Sequence, residues 1–195
     1  MIDSTAAATS STAHSQIKKL VFNRNSILTA QGVVSFHGMS TLPIATCQFH
    51  HNHFTGKTPM LIGAGLEVSE CSAVTMIANT FMSYGAMASN TLGEAVAVKM
   101  YSTAAWSLNG RFNKFKGNNA GVHIMSGAHG AHALTSKNFF TPTGNFRYNR
   151  FDTSAAFAFA IADLFKASTH EGALIANGNF NTKTAAGNSG VNYDV

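Results

Sequence analysis

Phe49-His-His-Asn52-His-Phe54 and Met76-Ile-Ala-Asn79-Thr-Phe81 share one pattern: an apolar residue, two of any kind, Asn, one of any kind, then an apolar residue. The pattern precedes them as Phe22-Asn-Arg-Asn25-Ser-Ile27. It follows as Gly110-Arg-Phe-Asn113-Lys-Phe115, with glycine in the first slot, and as Phe146-Arg-Tyr-Asn149-Arg-Phe151. A looser last copy, Leu174-Ile-Ala-Asn177-Gly-Asn-Phe180, carries one extra residue before its aromatic. The six asparagines lie 27, 27, 34, 36 and 28 residues apart. Self-similarity at such a period marks a stack of repeated units, so it governs the fold before any single segment is assigned.

Helical repeats of this length would carry apolar stripes at 3.6-residue spacing. The segments here alternate instead: Cys47-Gln-Phe49, Val74-Thr-Met76, Ala95-Val-Ala-Val98, Val122-His-Ile124 and Phe157-Ala-Phe159-Ala-Ile161. They are rich in Val, Ile, Phe and Thr and punctuated by Gly, Asn and Ser, which reads as strand. The alanines of residues 155–166 fit a helix, but the aromatic alternation tips that segment to strand as well. Two or three short strands per repeat, each lying on its counterpart about 4.8 Å away, satisfy the pattern. Asn suits the corner because it tolerates left-handed backbone and its amide can satisfy backbone groups that turn away from the sheets. Stacked copies, Asn25, Asn52, Asn79, Asn113, Asn149 and Asn177, then form an amide ladder. The next apolar residue turns inward, giving a column of Ile27, Phe54, Phe81, Phe115, Phe151 and Phe180. An antiparallel sandwich would show turn signals every 8–12 residues without a long-period Asn register.

On these corner asparagines and inward aromatics the chain resembles the right-handed parallel β-helix proteins, the pectate-lyase-like superfamily that includes many bacteriophage tailspikes. The resemblance covers roughly residues 20–182. It implies an all-β fold, a short right-handed parallel β-helix of about six coils with an extended N-terminal arm. Residues 1–16, small, polar and aperiodic, read as the arm, residues 17–182 as the β-helix and residues 183–195 as a C-terminal tail. The longer third and fourth repeats place insertions near residues 83–93 and 126–136.

Composition narrows the function. Hydrophobic residues make up 45% of the 195 and charged residues only 11%, against about 25% in an average domain. That excludes a disordered chain and argues against coiled coils and ordinary helical bundles. No apolar run reaches the roughly 20 residues of a membrane span, and Met1 to Gln16 lacks the pattern of a secretory signal. No membrane partner is expected. The charge of +5 arises from thirteen bases against eight acids. Cys47 and Cys71 read as two small buried thiols rather than a bridge or metal site.

Catalysis finds little support. Glycoside hydrolysis needs a carboxylate pair about 5–9.5 Å apart. Glu67 and Glu70 are three apart, so on a strand they point to opposite faces. Asp152, Asp163 and Glu171 share neighbouring coils without a spacing that brings them together. The lyases of the superfamily cluster Asp residues around calcium, and no such cluster occurs. His50, His51, His53, His129 and His132 match no structural zinc spacing. The expectation is a non-enzyme with no catalytic residue, no metal and no cofactor.

The bases are better organised. Residues two before and one after each corner Asn face outward. They read His50 with His53, Arg111 with Lys114 and Arg147 with Arg150, with Lys116 nearby, giving a partner-contact ridge. Phe112 and Tyr148 read as coil wall, which disfavours nucleic acid. Resemblance to tailspikes implies a homotrimer. Size and the missing signal then give a capsid decoration (cement) protein, located in the virion and assembled in the host cytoplasm. Its partner is the major capsid protein or another virion protein, gripped through the arm and ridge. The ridge could equally meet an anionic glycan, and the alternative function is a tailspike-like, receptor-binding segment that recognises or cleaves host polysaccharide in grooves lined by Tyr84, Tyr101, Trp106 or Tyr148 with paired acids.

Overall fold

Short alternating runs become strands throughout a computed structural model that describes residues 2–3, 16–29, 33–57, 64–84, 96–118, 120–125, 142–152, 157–162, 174–175 and 180–181. After β1 (Ile2–Asp3) the strands come in threes. The first set is β2 (Leu20–Asn23), β3 (Ser26–Thr29) and β4 (Val34–His37), the second β5 (Cys47–His50), β6 (His53–Gly56) and β7 (Ala64–Ser69). The third is β8 (Ala73–Ile77), β9 (Thr80–Met82) and β10 (Val96–Tyr101), the fourth β11 (Ser107–Arg111), β12 (Lys114–Lys116) and β13 (Ala120–Met125). The fifth is β14 (Gly144–Asn145), β15 (Arg150–Asp152) and β16 (Phe157–Ala162), and β17 (Leu174–Ile175) and β18 (Phe180–Asn181) open a sixth.

Each set gives one strand to each of three parallel sheets, so every strand pairs with its counterpart one repeat away. Sheet I runs β2-β5-β8-β11, sheet II β3-β6-β9-β12-β15-β18 and sheet III β1-β4-β7-β10-β13-β16. Sheet I continues into the fifth repeat through the bridges Ser107 to Thr143 and Gly110 to Phe146, and β14 pairs with β17. The chain is thus all-β with parallel pairing and no helix among the described residues, an arrangement compatible with a parallel β-helix. Phe157–Ala162 is a strand of sheet III.

The core is built of columns. Phe54, Phe81, Phe115 and Phe151 stack along sheet II with ring centroids 4.7, 5.2 and 4.7 Å apart and planes within 6°. Ile27 is the register partner of Phe54 at the first repeat. Phe180 departs from the expected column: it pairs with Arg150, and Asn181 pairs with Phe151. The β15–β18 pairing runs at an offset of 30 residues, whereas Asn149 and Asn177 lie 28 apart, so the register here is not the one the last asparagine implies. In sheet I the column of Phe22, Phe49, Met76, Gly110 and Phe146 accounts for the glycine of the fourth copy. A Cβ on Gly110 would lie 2.4 Å from the Phe146 ring, which is wholly buried.

One expectation is corrected. Cys47 and Cys71 form a disulfide, with Cα atoms 6.6 Å apart. Cys47 lies inside β5, and Cys71 bridges to Ile44, so the stack sets side by side two thiols 24 residues apart in sequence. At the chain start, Ile2 and Asp3 extend sheet III by pairing with Phe36 and His37. The insertion near residues 126–136, most of that near residues 83–93, and the tail lie outside the described residues.

Candidate partner-contact edge

The corner between sheets I and II organises the surface. Asn52 Nδ2 donates to Asn79 Oδ1 (2.9 Å) and back to Phe22 O (2.6 Å), while its backbone N donates to the same Asn79 Oδ1 (3.0 Å). Asn79 repeats this with Asn113 and Phe49 O, and Asn113 with Asn149 and Met76 O. Asn25 joins at the first rung, its Nδ2 and backbone N both donating to Asn52 Oδ1 at 3.0 Å. Asn177 lies outside the described residues.

The left-handed conformation falls not on the asparagines but on the residue before each: Arg24, His51, Ala78, Phe112 and Tyr148, with φ between 55° and 60°. The Asn therefore stays turned inward and engaged, while its predecessor is turned outward at the tip of the corner. Phe112 and Tyr148 are accordingly not coil wall. They are 62% and 59% exposed, with ring centroids 6.5 Å apart and planes 25° apart. The Arg111 guanidinium stands 5.7 Å from the centre of the Phe112 ring, and that of Arg147 5.3 Å from the Tyr148 ring. Beyond the rings, Lys114 and Arg150 are exposed register partners. The corner of the fourth and fifth repeats is thus a two-by-two block of cations around two protruding rings. Like charges stand opposite one another on neighbouring strands here.

The ridge is not continuous. Ile77, Ala78 and Thr80 occupy the third repeat, separating this block from His50, His51 and His53 on the second. His51 and His53 are exposed. His50 Nε2 is buried without a hydrogen-bond partner, and burial, reinforced by His51 and Lys19, holds its pKa below the ordinary value. Lys116 is exposed and pairs in register with Asp152.

On the sheet I side a groove of about 390 Å³ adjoins the block, lined by Thr75, Ile77, Asn109, Gly110, Arg111, Asn145, Arg147 and Tyr148. Thr75, Asn109 and Asn145 were invisible as a site because polar residues at alternate strand positions are what any solvated sheet face carries. Of the other aromatics named from sequence, Tyr84 and Trp106 are buried and Tyr101 is half-buried. Tyr84 fills the space left by Gly56 and Gly65, where a Cβ would meet its ring at 2.8 and 2.6 Å. Its hydroxyl accepts from Thr29 Oγ1 (3.2 Å), and burial pushes its pKa up to about 12.

The acids are placed differently from the strand expectation. Glu67 pairs in register with Ser35 and Lys99 on sheet III and is 3% exposed. Glu70 lies just past β7 in left-handed conformation and is 7% exposed. Its carboxylate accepts from Thr103 Oγ1 (2.9 Å), Thr103 N (3.2 Å) and Ser102 Oγ (3.3 Å). The turn at Glu70 brings both acids near the Tyr101 phenol, whose pKa is raised by burial and by their charges and lowered by a hydrogen bond with Ser69. Asp163 and Glu171 lie outside the described residues. Among the described residues no three His, Cys, Asp or Glu gather as a metal ion would need, and no helix is long and apolar enough to cross a membrane.

No protein-family model, curated protein or solved structure matches the chain.

Proposed function

We propose that this chain is a non-enzymatic structural protein: a short right-handed parallel β-helix that serves as a rigid body and grips an acidic partner protein through its Arg–aromatic edge. The observation that carries the reading is the exposed pair Phe112 and Tyr148, braced by Arg111 and Arg147 and flanked by Lys114 and Arg150. Exposed aromatics with arginines are the composition of interface hot spots, and an acidic partner would be complementary to the cationic block. A non-catalytic role is supported by the burial of Glu67 and Glu70 and by the bonds that hold Glu70 to Ser102 and Thr103. In the virion setting expected from the sequence, the partner would be an acidic patch on a coat protein, and the chain a capsid decoration protein.

The test compares the full chain with the variant F112S/Y148S/K114E/R150E on immobilised poly-glutamate and in pull-downs from the producing cells. The parent is retained at moderate salt and brings down a defined acidic protein, and the variant does neither. Equal behaviour of the two, with circular dichroism showing both folded, would remove the edge from the argument.

A further inference from the structure

The groove beside the edge has a chemistry of its own. Its floor is the outer face of sheet I across the third to fifth repeats, with Thr75, Asn109 and Asn145 in one row and Ile77, Arg111 and Arg147 in the next. Thr75 and Asn109 are register partners, and Asn145 N donates to Asn109 Oδ1 (3.1 Å), which fixes the spacing of the amide row. The Arg147 backbone N donates to Gly110 O (2.9 Å), holding the two arginines on successive strands, about 4.8 Å apart. Each guanidinium rests against its neighbouring ring, so the forks are pre-set before anything binds. We propose that this groove is a binding site for a tetrahedral oxyanion ester, a sulfate or phosphate carried on a sugar-sized polyol.

One guanidinium fork saturates the two oxygens of a carboxylate. Two forks one strand apart are better matched by the three terminal oxygens of a sulfate or phosphate ester. Thr75, Asn109 and Asn145 offer a hydroxyl and amides to the hydroxyls of the carrier, and the volume suits a ligand of that size. Ile77 ends the cationic row on the third repeat, which limits charge recognition to one ester group. A nucleic-acid strand is disfavoured because the outward ring column is two rings long, with Ala78 in the third place. The site goes beyond the protein-contact reading, although Arg111 and Arg147 belong to both.

The experiment titrates the full-length protein by calorimetry at constant ionic strength. The probes are sodium sulfate, sodium phosphate, N-acetylglucosamine 6-sulfate, glucose 6-phosphate, sodium acetate and a short oligothymidylate. One of the two sugar esters should bind saturably, at least about tenfold tighter than its inorganic ion, and which one does so tells sulfate from phosphate. R111Q/R147Q should abolish binding, and Asn145→Ala should weaken the sugar ester roughly fivefold while sparing the inorganic ion. K114Q/R150Q should leave ester binding intact while reducing retention on poly-glutamate, so the groove and the edge fail separately. Ester affinity no better than the inorganic ion, or matched by acetate, would overturn the proposal. So would tighter binding of the oligonucleotide or undiminished affinity in R111Q/R147Q.

Discussion

Asn79 is wholly buried, and its amide gives two hydrogen bonds and receives two. Asn79→Ala should therefore cost about 3 kcal/mol, because it strands buried donors and acceptors on both neighbouring rungs. Asn25→Ala, at the half-buried end of the ladder, should cost about 1 kcal/mol in the same urea titration. Equal losses would mean the ladder does not act as a stack. Tyr84 gives a pH signature. Its phenol ionises near 10 in the unfolded chain and only near 12 in the folded one. The stabilisation from this group is complete below pH 10 and is lost as pH rises toward 12. Tyr84→Phe should flatten the fall in stability between pH 10 and 12, and an unchanged slope would assign the alkaline loss to other groups. His50 acts at the other end: its folded pKa lies below 6.5, so the unfolded chain takes up its proton first and stability declines as pH falls through that value. Thermal melts of His50→Gln should show a shallower decline.

At the scale of elements, stability comes from columns rather than from individual strands, none of which exceeds six residues or is stable alone. The Cys47–Cys71 bridge ties the second repeat to the start of the third. Closing a loop of this length removes about 3 kcal/mol of unfolded-state entropy. Calorimetry with and without reductant should show a drop in Tm that the Cys47→Ser/Cys71→Ser double variant reproduces without reductant. A parent insensitive to reductant would show the thiols unpaired in solution. The strand assignments were legible because alternation and the Asn register pointed the same way. The bridge was not, since nothing in a separation of 24 residues indicates that one turn of the stack brings the thiols together. Phe180 shows the same limit: the 28-residue spacing of Asn149 and Asn177 does not reveal that β18 pairs with β15 at an offset of 30, which sets Asn181 rather than Phe180 opposite Phe151.

For the whole molecule, a stack in which each repeat touches only its neighbours should tolerate removal of a full unit. Deleting residues 80–113 joins Asn79 to Lys114, the register partner of Thr80, and leaves both cysteines in place. The shortened chain should keep a β-type circular dichroism spectrum and a cooperative, lower-temperature transition, whereas loss of cooperative unfolding would argue for contacts reaching beyond adjacent repeats. The sequence by itself determined the repeat, the strands, the corner asparagines and which apolar residues follow them, because a period in side-chain chemistry survives in one dimension. Only the tertiary structure decided what the corner does with its other residues. It put the left-handed turn on the residue before each Asn, which pushes Phe112 and Tyr148 into solvent, lays an arginine against each ring and sets Lys114 opposite Arg150. The physical reason is that facing direction depends on one backbone angle per corner and on which repeats lie side by side, and both are fixed only when the sheets close on one another.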